Sequence, residues 1–201
     1  MRKFNAFIIG LSVATLAWAE PVAPDAVIRQ VTQQVLDTLA RTGDGTGTRA
    51  MTESVVATVL PKFDFPRMTA LAVGRDWRQA TPAQQAALTE EFQTLLVRTY
   101  SNALTAYKGQ TVDVKPARAG ADDGEVTVRT ELRQRGATPV PIDYAMSRQD
   151  DGWRVHDVTV GGISLVTAYR DQFGQEIRNG GIDGLIRTLR AKNAGGAAAR
   201  S

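Results

Sequence analysis

The chain has 201 residues, with 24 lysines and arginines against 21 aspartates and glutamates, one histidine and no cysteine. The missing cysteines exclude a disulfide framework and thiolate chemistry, and a lone histidine excludes a histidine-built metal cluster. Basic residues are scattered and not interleaved with aromatics, which argues against a nucleic-acid surface; stability must come from an apolar core, and a chain of this size can bury one.

The N-terminus reads as a secretory signal. Arg2 and Lys3 precede an apolar run over 4–16, and Ala17-Trp18-Ala19 is a small-x-small cleavage site. We expect residues 1–19 to be removed, leaving one domain over 20–193 and a disordered tail over 194–201. Loss of Arg2 and Lys3 takes the formal net charge from +3 to +1, so the sequence pI of 9.4 overstates the basicity of the mature chain. The apolar run is too short to span a bilayer stably.

A first helix starts at Pro24-Asp25, with Val27, Ile28, Val31, Val35, Leu36 and Leu39 facing inward. A glycine-rich run over 42–48 ends it. That run lacks a following Lys-Ser/Thr and no strand precedes it, so it is a connection and not a phosphate loop. A second helix over 51–60 carries Val55, Val56, Val59 and Leu60 and ends at Pro61. Asp64 then caps a third helix with Pro66 in its first turn. Met68, Leu71, Ala72 and Val73 ride on that helix, and Gly74 stops it.

Thr81-Pro82-Ala83-Gln84 is the clearest helix start, combining an N-cap, a proline at the first helical position and a capping-box glutamine. The helix is predicted to run to about residue 107, roughly 39 Å at 1.5 Å per residue. Its broad stripe includes Ala87, Leu88, Phe92, Leu95, Leu96, Tyr100, Leu104 and Tyr107, and we expect it to be the spine of the fold. Strands follow over 111–115, 125–133, 140–148 and 153–160, each alternating and joined by short turns. They predict a four-stranded antiparallel meander with one face under helices.

The stretch over 153–173 organises the rest. On its strand Val155, Asp157 and Thr159 alternate with His156, Val158 and Val160; Gly161-Gly162 breaks the strand, and Ser164 caps a helix. Leu165, Val166, Tyr169, Phe173 and Ile177 form that helix's apolar stripe. Gly180-Gly181 breaks it, and a last helix over 182–192 turns Leu185, Ile186 and Leu189 inward. Helices, then sheet, then helices make an α+β fold.

Catalytic chemistry finds little support. His156 reads as an ordinary strand histidine. Ser164 lies near it in sequence, but no nucleophile-elbow pattern surrounds it. Asp64, Asp76, Asp143 and Asp157 are the carboxylates nearest apolar segments, and none is marked out as the acid of a steroid-isomerase-like pocket. The residues thus describe a secreted α+β domain with no catalytic constellation and no metal site. Whether its apolar faces close into a core or around a cavity stays open, because periodicity does not separate the two.

The order of motifs resembles a family of periplasmic phospholipid-binding proteins, the MlaC or toluene-tolerance auxiliary family. The residues that carry the resemblance are Leu60-Pro61, Ala70-Leu71-Ala72-Val73-Gly74 and Trp77-Arg78-Gln79-Ala80-Thr81-Pro82-Ala83-Gln84, followed by Phe92, Leu95, Tyr100, Ala103-Leu104, Tyr107 and Gly109-Gln110. The C-terminal half adds Trp153, Asp157-Val158, Gly162-Ile163-Ser164-Leu165-Val166 and Gly181-Ile182-Asp183-Gly184-Leu185-Ile186. The resemblance implies a nuclear-transport-factor-like cone with an apolar cavity. It implies a monomeric, non-enzymatic carrier that needs no cofactor or metal and takes phospholipid as cargo in the periplasm of a Gram-negative cell. Its partners would be an outer-membrane lipoprotein–porin complex and an inner-membrane ABC transporter with a ring-forming substrate-binding subunit. A hopanoid carrier and a periplasmic adaptor whose groove takes a partner helix are the rival readings.

On that footing the pocket is expected between the long helix, the 165–177 helix and the inner face of the sheet, where apolar stripes face one another. The expected lining is Met68, Leu71, Leu95, Leu96, Tyr100, Leu104, Tyr144, Val158, Ile163, Val166, Tyr169 and Phe173, with Trp77 and Arg78 at a head-group mouth.

Overall fold

The computed structural model describes residues 22–41, 48–105, 109–119 and 124–198. The expected leader over 1–19, the run over 42–47, Tyr107 and the residues after 198 lie outside the described residues, as does the side chain of Leu104.

The helices are α1 (Pro24–Arg41), α2 (Thr48–Val59), α3 (Phe65–Val73), α4 (Pro82–Thr105) and α5 (Thr167–Ala198). Short 3-10 turns at Leu60–Lys62 and Gly74–Gln79 flank α3. Local chemistry sets the ends of α3 and the start of α4 as the sequence predicts, while α2 begins earlier than expected, at Thr48, and α5 later, at Thr167. The Asp64 side chain accepts from Arg67 N–H at 3.0 Å, and Gly74 ends α3 at φ 72°. At the start of α4 the box closes reciprocally: Gln84 N–H donates to Thr81 Oγ1 at 3.3 Å, and Thr81 N–H donates to Gln84 Oε1 at 3.0 Å. Gly181, at φ 67° and ψ −175°, kinks α5 into two halves.

The helix continues beyond Lys192, where the last helix was expected to end, to Ala198. Asn193 explains the extension, because its Nδ2 donates to the Glu91 backbone carbonyl at 3.0 Å and to Glu91 Oε2 at 2.8 Å, tying this turn to α4.

Among the described residues the sheet has six strands, not four: β1 (Thr111–Val114), β2 (Arg118–Ala119), β3 (Glu125–Arg133), β4 (Val140–Gln149), β5 (Gly152–Val160) and β6 (Ile163–Ser164). The order is β1-β3-β4-β5-β6, with β2 also on β3, and every pairing is antiparallel. The two extra strands have simple causes. Pro116 has no N–H to donate, so the first strand splits into β1 and β2 on either side of it, and both pair with β3. Gly161 and Gly162 both take positive φ, 57° and 87°, the requirement of a two-residue hairpin turn, so the chain folds back as β6 before α5 begins.

A bulge corrects the facing of β5. The register with β4 shifts between Ala145 and Met146, leaving His156 as the additional residue. Strict alternation puts Val155 opposite in facing to Val158 and Val160, but the bulge brings all three into one apolar cluster. His156 is buried, with Nδ1 3.1 Å from the Ala145 carbonyl. Burial holds its pKa below the usual imidazole value, reinforced by the Arg67 cation and opposed by Glu125, Asp157 and Asp64. A depressed histidine pKa means the unfolded chain takes up the proton first. Stability is therefore full above the unfolded value of about 6.5 and is lost as pH falls toward the folded pKa. Urea unfolding at pH 7.5 and 5.5 is expected to show His156→Gln losing less stability on acidification than the parent chain. An equal loss in both would mean that His156 does not drive the acid slope.

The core divides in two. A helical core joins Phe65, Met68, Leu88, Phe92, Leu96, Val166, Phe173, Leu185 and Leu189, from α3, α4, α5 and the turn that leads into α5. A sheet core joins Ile28 of α1 to Val114, Val126, Val128, Met146, Val155 and Val158. Phe63 packs against both. The long helix α4 thus anchors a layer of helices and is not a spine laid on the sheet.

Candidate functional site

α1 crosses the inner face of the sheet and is seated at both ends. Ile28 and Leu39 are buried, and Arg29 Nη1 donates to the Val114 carbonyl at 3.4 Å. Between those ends Val31, Val35 and Leu36 are only half-buried. They face a cavity of about 470 Å³, closed by Val55 and Val59 of α2 and by Val112, Leu132, Tyr144 and Val155 of the sheet. Lys62, Phe63, Thr32 and Gln110 complete its wall. The volume falls within the range of about 300–1,000 Å³ typical of ligand pockets. Valine makes the cavity. At Val31, Val35, Val55, Val59, Val112 and Val155 the side chain is short and stiff, and it leaves open what leucine or phenylalanine would fill.

Tyr144 is the polar group that β4 brings to this wall. Burial pushes its phenol up to about 12, against a smaller opposing hydrogen bond with Thr130. It is a neutral hydroxyl in an apolar chamber, suited to orienting a ligand and not to proton transfer near neutral pH. Among the described residues no group of histidine, aspartate and glutamate is arranged to hold a metal ion.

Among the described residues expected to line a pocket, Tyr144 alone borders this cavity. Met68, Leu96, Val166 and Phe173 are buried in the helical core, with Leu95 and Tyr169 packed against it. Val158 belongs to the sheet core. Ile163 is 66% exposed at the β5–β6 hairpin, and Tyr100 and Leu71 are exposed. The space foreseen between α4 and α5 is filled: Phe92 meets Tyr169 and Phe173 edge-on, each at 5.2 Å between ring centroids. Trp77 and Arg78 line a separate depression with Leu71, Arg75, Arg170 and Arg178, and it shares no lining residue with the apolar cavity.

The helical residues that border this cavity and were not in the expected lining are those of α1 and α2. The sequence reading had their apolar stripes but assigned them to the core. The usable signal was composition: these stripes are mostly valine, while those of α4 and α5 carry phenylalanine, tyrosine and leucine.

The model of the MlaC protein family matches residues 29–191. The chain belongs to that family. Toluene tolerance protein ttg2D of Pseudomonas putida is 34% identical over 107 residues, which cover 53% of this chain and 49% of that protein. The intermembrane phospholipid transport system binding protein MlaC of Haemophilus influenzae is 21% identical over 131 residues, or 64% of this chain and 61% of that one. The chain thus spans about half to three-fifths of the curated relatives it matches. Among solved structures, a phospholipid-binding protein from Ralstonia solanacearum, in complex with a phospholipid, superposes with a TM-score of 0.79 at 37% identity. That match covers 88% of this chain and 99% of the other.

Proposed function

We propose that this MlaC-family chain is a periplasmic phospholipid carrier, with the acyl chains held in the cavity between α1, α2 and the sheet. The cavity carries the reading: an apolar chamber of about 470 Å³ in which valine is the commonest wall residue, in a chain with a phospholipid-binding structural neighbour. Each methylene withdrawn from water is worth about 0.8 kcal/mol, so ten give about 8 kcal/mol before the costs of immobilisation. That gross figure is enough for roughly micromolar binding without any head-group contact. Energy for directional transfer then has to come from elsewhere. In this reading the chain moves lipid between an outer-membrane lipoprotein–porin complex and an inner-membrane ABC transporter with a ring-forming subunit, and it catalyses no reaction.

Native mass spectrometry of the mature chain, followed by solvent extraction, tests the cargo. Phospholipid at fixed stoichiometry is the expected result. A polycyclic lipid in its place would change the cargo and keep the carrier. A chain that stays empty after incubation with phospholipid vesicles would overturn the reading.

A further inference from the structure

The apolar cavity runs into a second space. Val31 and Lys62 line both it and a neighbouring depression of about 410 Å³, bordered by Gln30 of α1 and by Arg148, Trp153 and Arg154 of the β4–β5 hairpin. Lys62 sits at the junction. It is the last residue of the 3-10 turn that follows α2, and the next two residues fix its position: Phe63 N–H donates to the Leu60 carbonyl at 3.1 Å, and Asp64 N–H donates to the Val155 carbonyl at 2.8 Å. Lys62 is half-buried, yet among the described residues its ammonium has no ion-pair partner. Two of the nearby carboxylates are engaged elsewhere, and a third, Asp150, lies on the wall of the same depression. Asp64 caps α3 and accepts from Gln149 Nε2 at 2.7 Å, and Asp151 pairs with Arg154. The Arg148 side chain is on the wall of the same depression, and among the described residues it has no ion-pair partner either.

A lysine carries its charge at the end of a long apolar stem, so it can lie along an apolar wall and hold the ammonium at the polar edge. Placed where an apolar chamber meets a polar depression, it has the chemistry to receive the anionic group of an amphiphile. From this we infer that Lys62 is the phosphate site of the bound lipid: acyl chains fill the valine-walled cavity, the phosphodiester sits on the Lys62 ammonium, and the head group extends into the depression beside Arg148. The inference rests on the lipid-carrier reading and assigns the polar end that the cavity alone leaves unspecified. Lysine suits the task as a compact charge with three donors, which holds a phosphate without fixing what lies beyond it.

The test loads the mature chain from equimolar phosphatidylglycerol and diacylglycerol with identical acyl chains, read by native mass spectrometry, for the parent, Lys62→Gln and Lys62→Arg. The parent is expected to favour the phosphate-bearing lipid by about tenfold or more, the ratio one charge-assisted hydrogen bond supplies. Lys62→Gln is expected to lose that preference while still taking up lipid, and Lys62→Arg to keep it. A preference unchanged in Lys62→Gln would overturn the phosphate assignment and leave the carrier standing. Uptake of neither lipid by the parent would overturn the carrier reading itself, and with it this one. Inorganic phosphate at millimolar concentration is expected not to displace the lipid; displacement would make Lys62 a free-anion site and overturn the assignment.

Discussion

The Val35→Trp variant is expected to lose most of its bound phospholipid while remaining folded. Val35 lies midway along α1, half-buried, between the seated ends at Ile28 and Leu39, and its side chain borders the cavity. An indole there occupies space the fold leaves open. It therefore avoids the overpacking strain of about 1–3 kcal/mol that extra bulk causes in a filled core. Excluding as few as two lipid methylenes from the chamber removes about 1.6 kcal/mol of burial, and a tenfold loss of affinity needs about 1.4. A larger obstruction compounds the loss. Leu132→Trp attacks the same space from the sheet and is expected to act alike, because both residues wall one chamber. The measurement is lipid per protein after extraction, alongside circular dichroism and thermal unfolding. A full lipid load in both folded variants would place the acyl chains somewhere other than between α1, α2 and the sheet.

The sequence was most legible where local chemistry decides. The Asp64 cap, the Thr81–Gln84 box, the stop at Gly74 and the span Glu125–Arg133 are each settled within a few residues, and the structure has them where the pattern puts them. Legibility failed where one position answers to a distant one. The bulge at His156 depends on a register shift in β4, and alternation along β5 alone carries no trace of it. Pro116 announced a break in pairing, but not that the chain would rejoin the same partner strand beyond it. The cavity was harder still. An amphipathic stripe records that one face of a helix is withdrawn from water, and it looks the same whether that face meets side chains or a lipid. The stripes of α4 and α5 drew the expectation because they face one another, yet large rings that reach one another close a space and do not hold it open. Tyr144 was the exception, since a strand residue on the inner face borders whatever lies above the sheet.

The Val166→Asp variant separates the two possible pockets, and we expect it to unfold the protein. Had the cavity lain between α4 and α5, a carboxylate at this position would have repelled lipid from an intact fold. The structure gives Val166 a different role. It is 1% exposed, it packs with Phe92, Phe173 and Leu185 in the helical core, and its N–H donates to Asp157 Oδ1 at 3.3 Å. Asp157 also accepts from Ser164 Oγ at 2.6 Å, so one carboxylate already fastens β5 to the turn before α5. A second carboxylate at position 166 would be buried without a cation and close to a like charge. An uncompensated buried ion costs several kcal/mol, while the whole fold is stable by only about 5–15 kcal/mol. Val166→Ala, which removes apolar surface without adding charge, is expected to cost roughly 1–3 kcal/mol and to retain its lipid. The pair is read by urea unfolding and lipid content together. If Val166→Asp folds stably and comes out empty, the lipid reaches the helical core and the α1–α2 chamber is not the whole site; if it is unfolded while Val166→Ala stays loaded, the helical layer is solid and serves to hold the sheet and its valine-walled cavity in place.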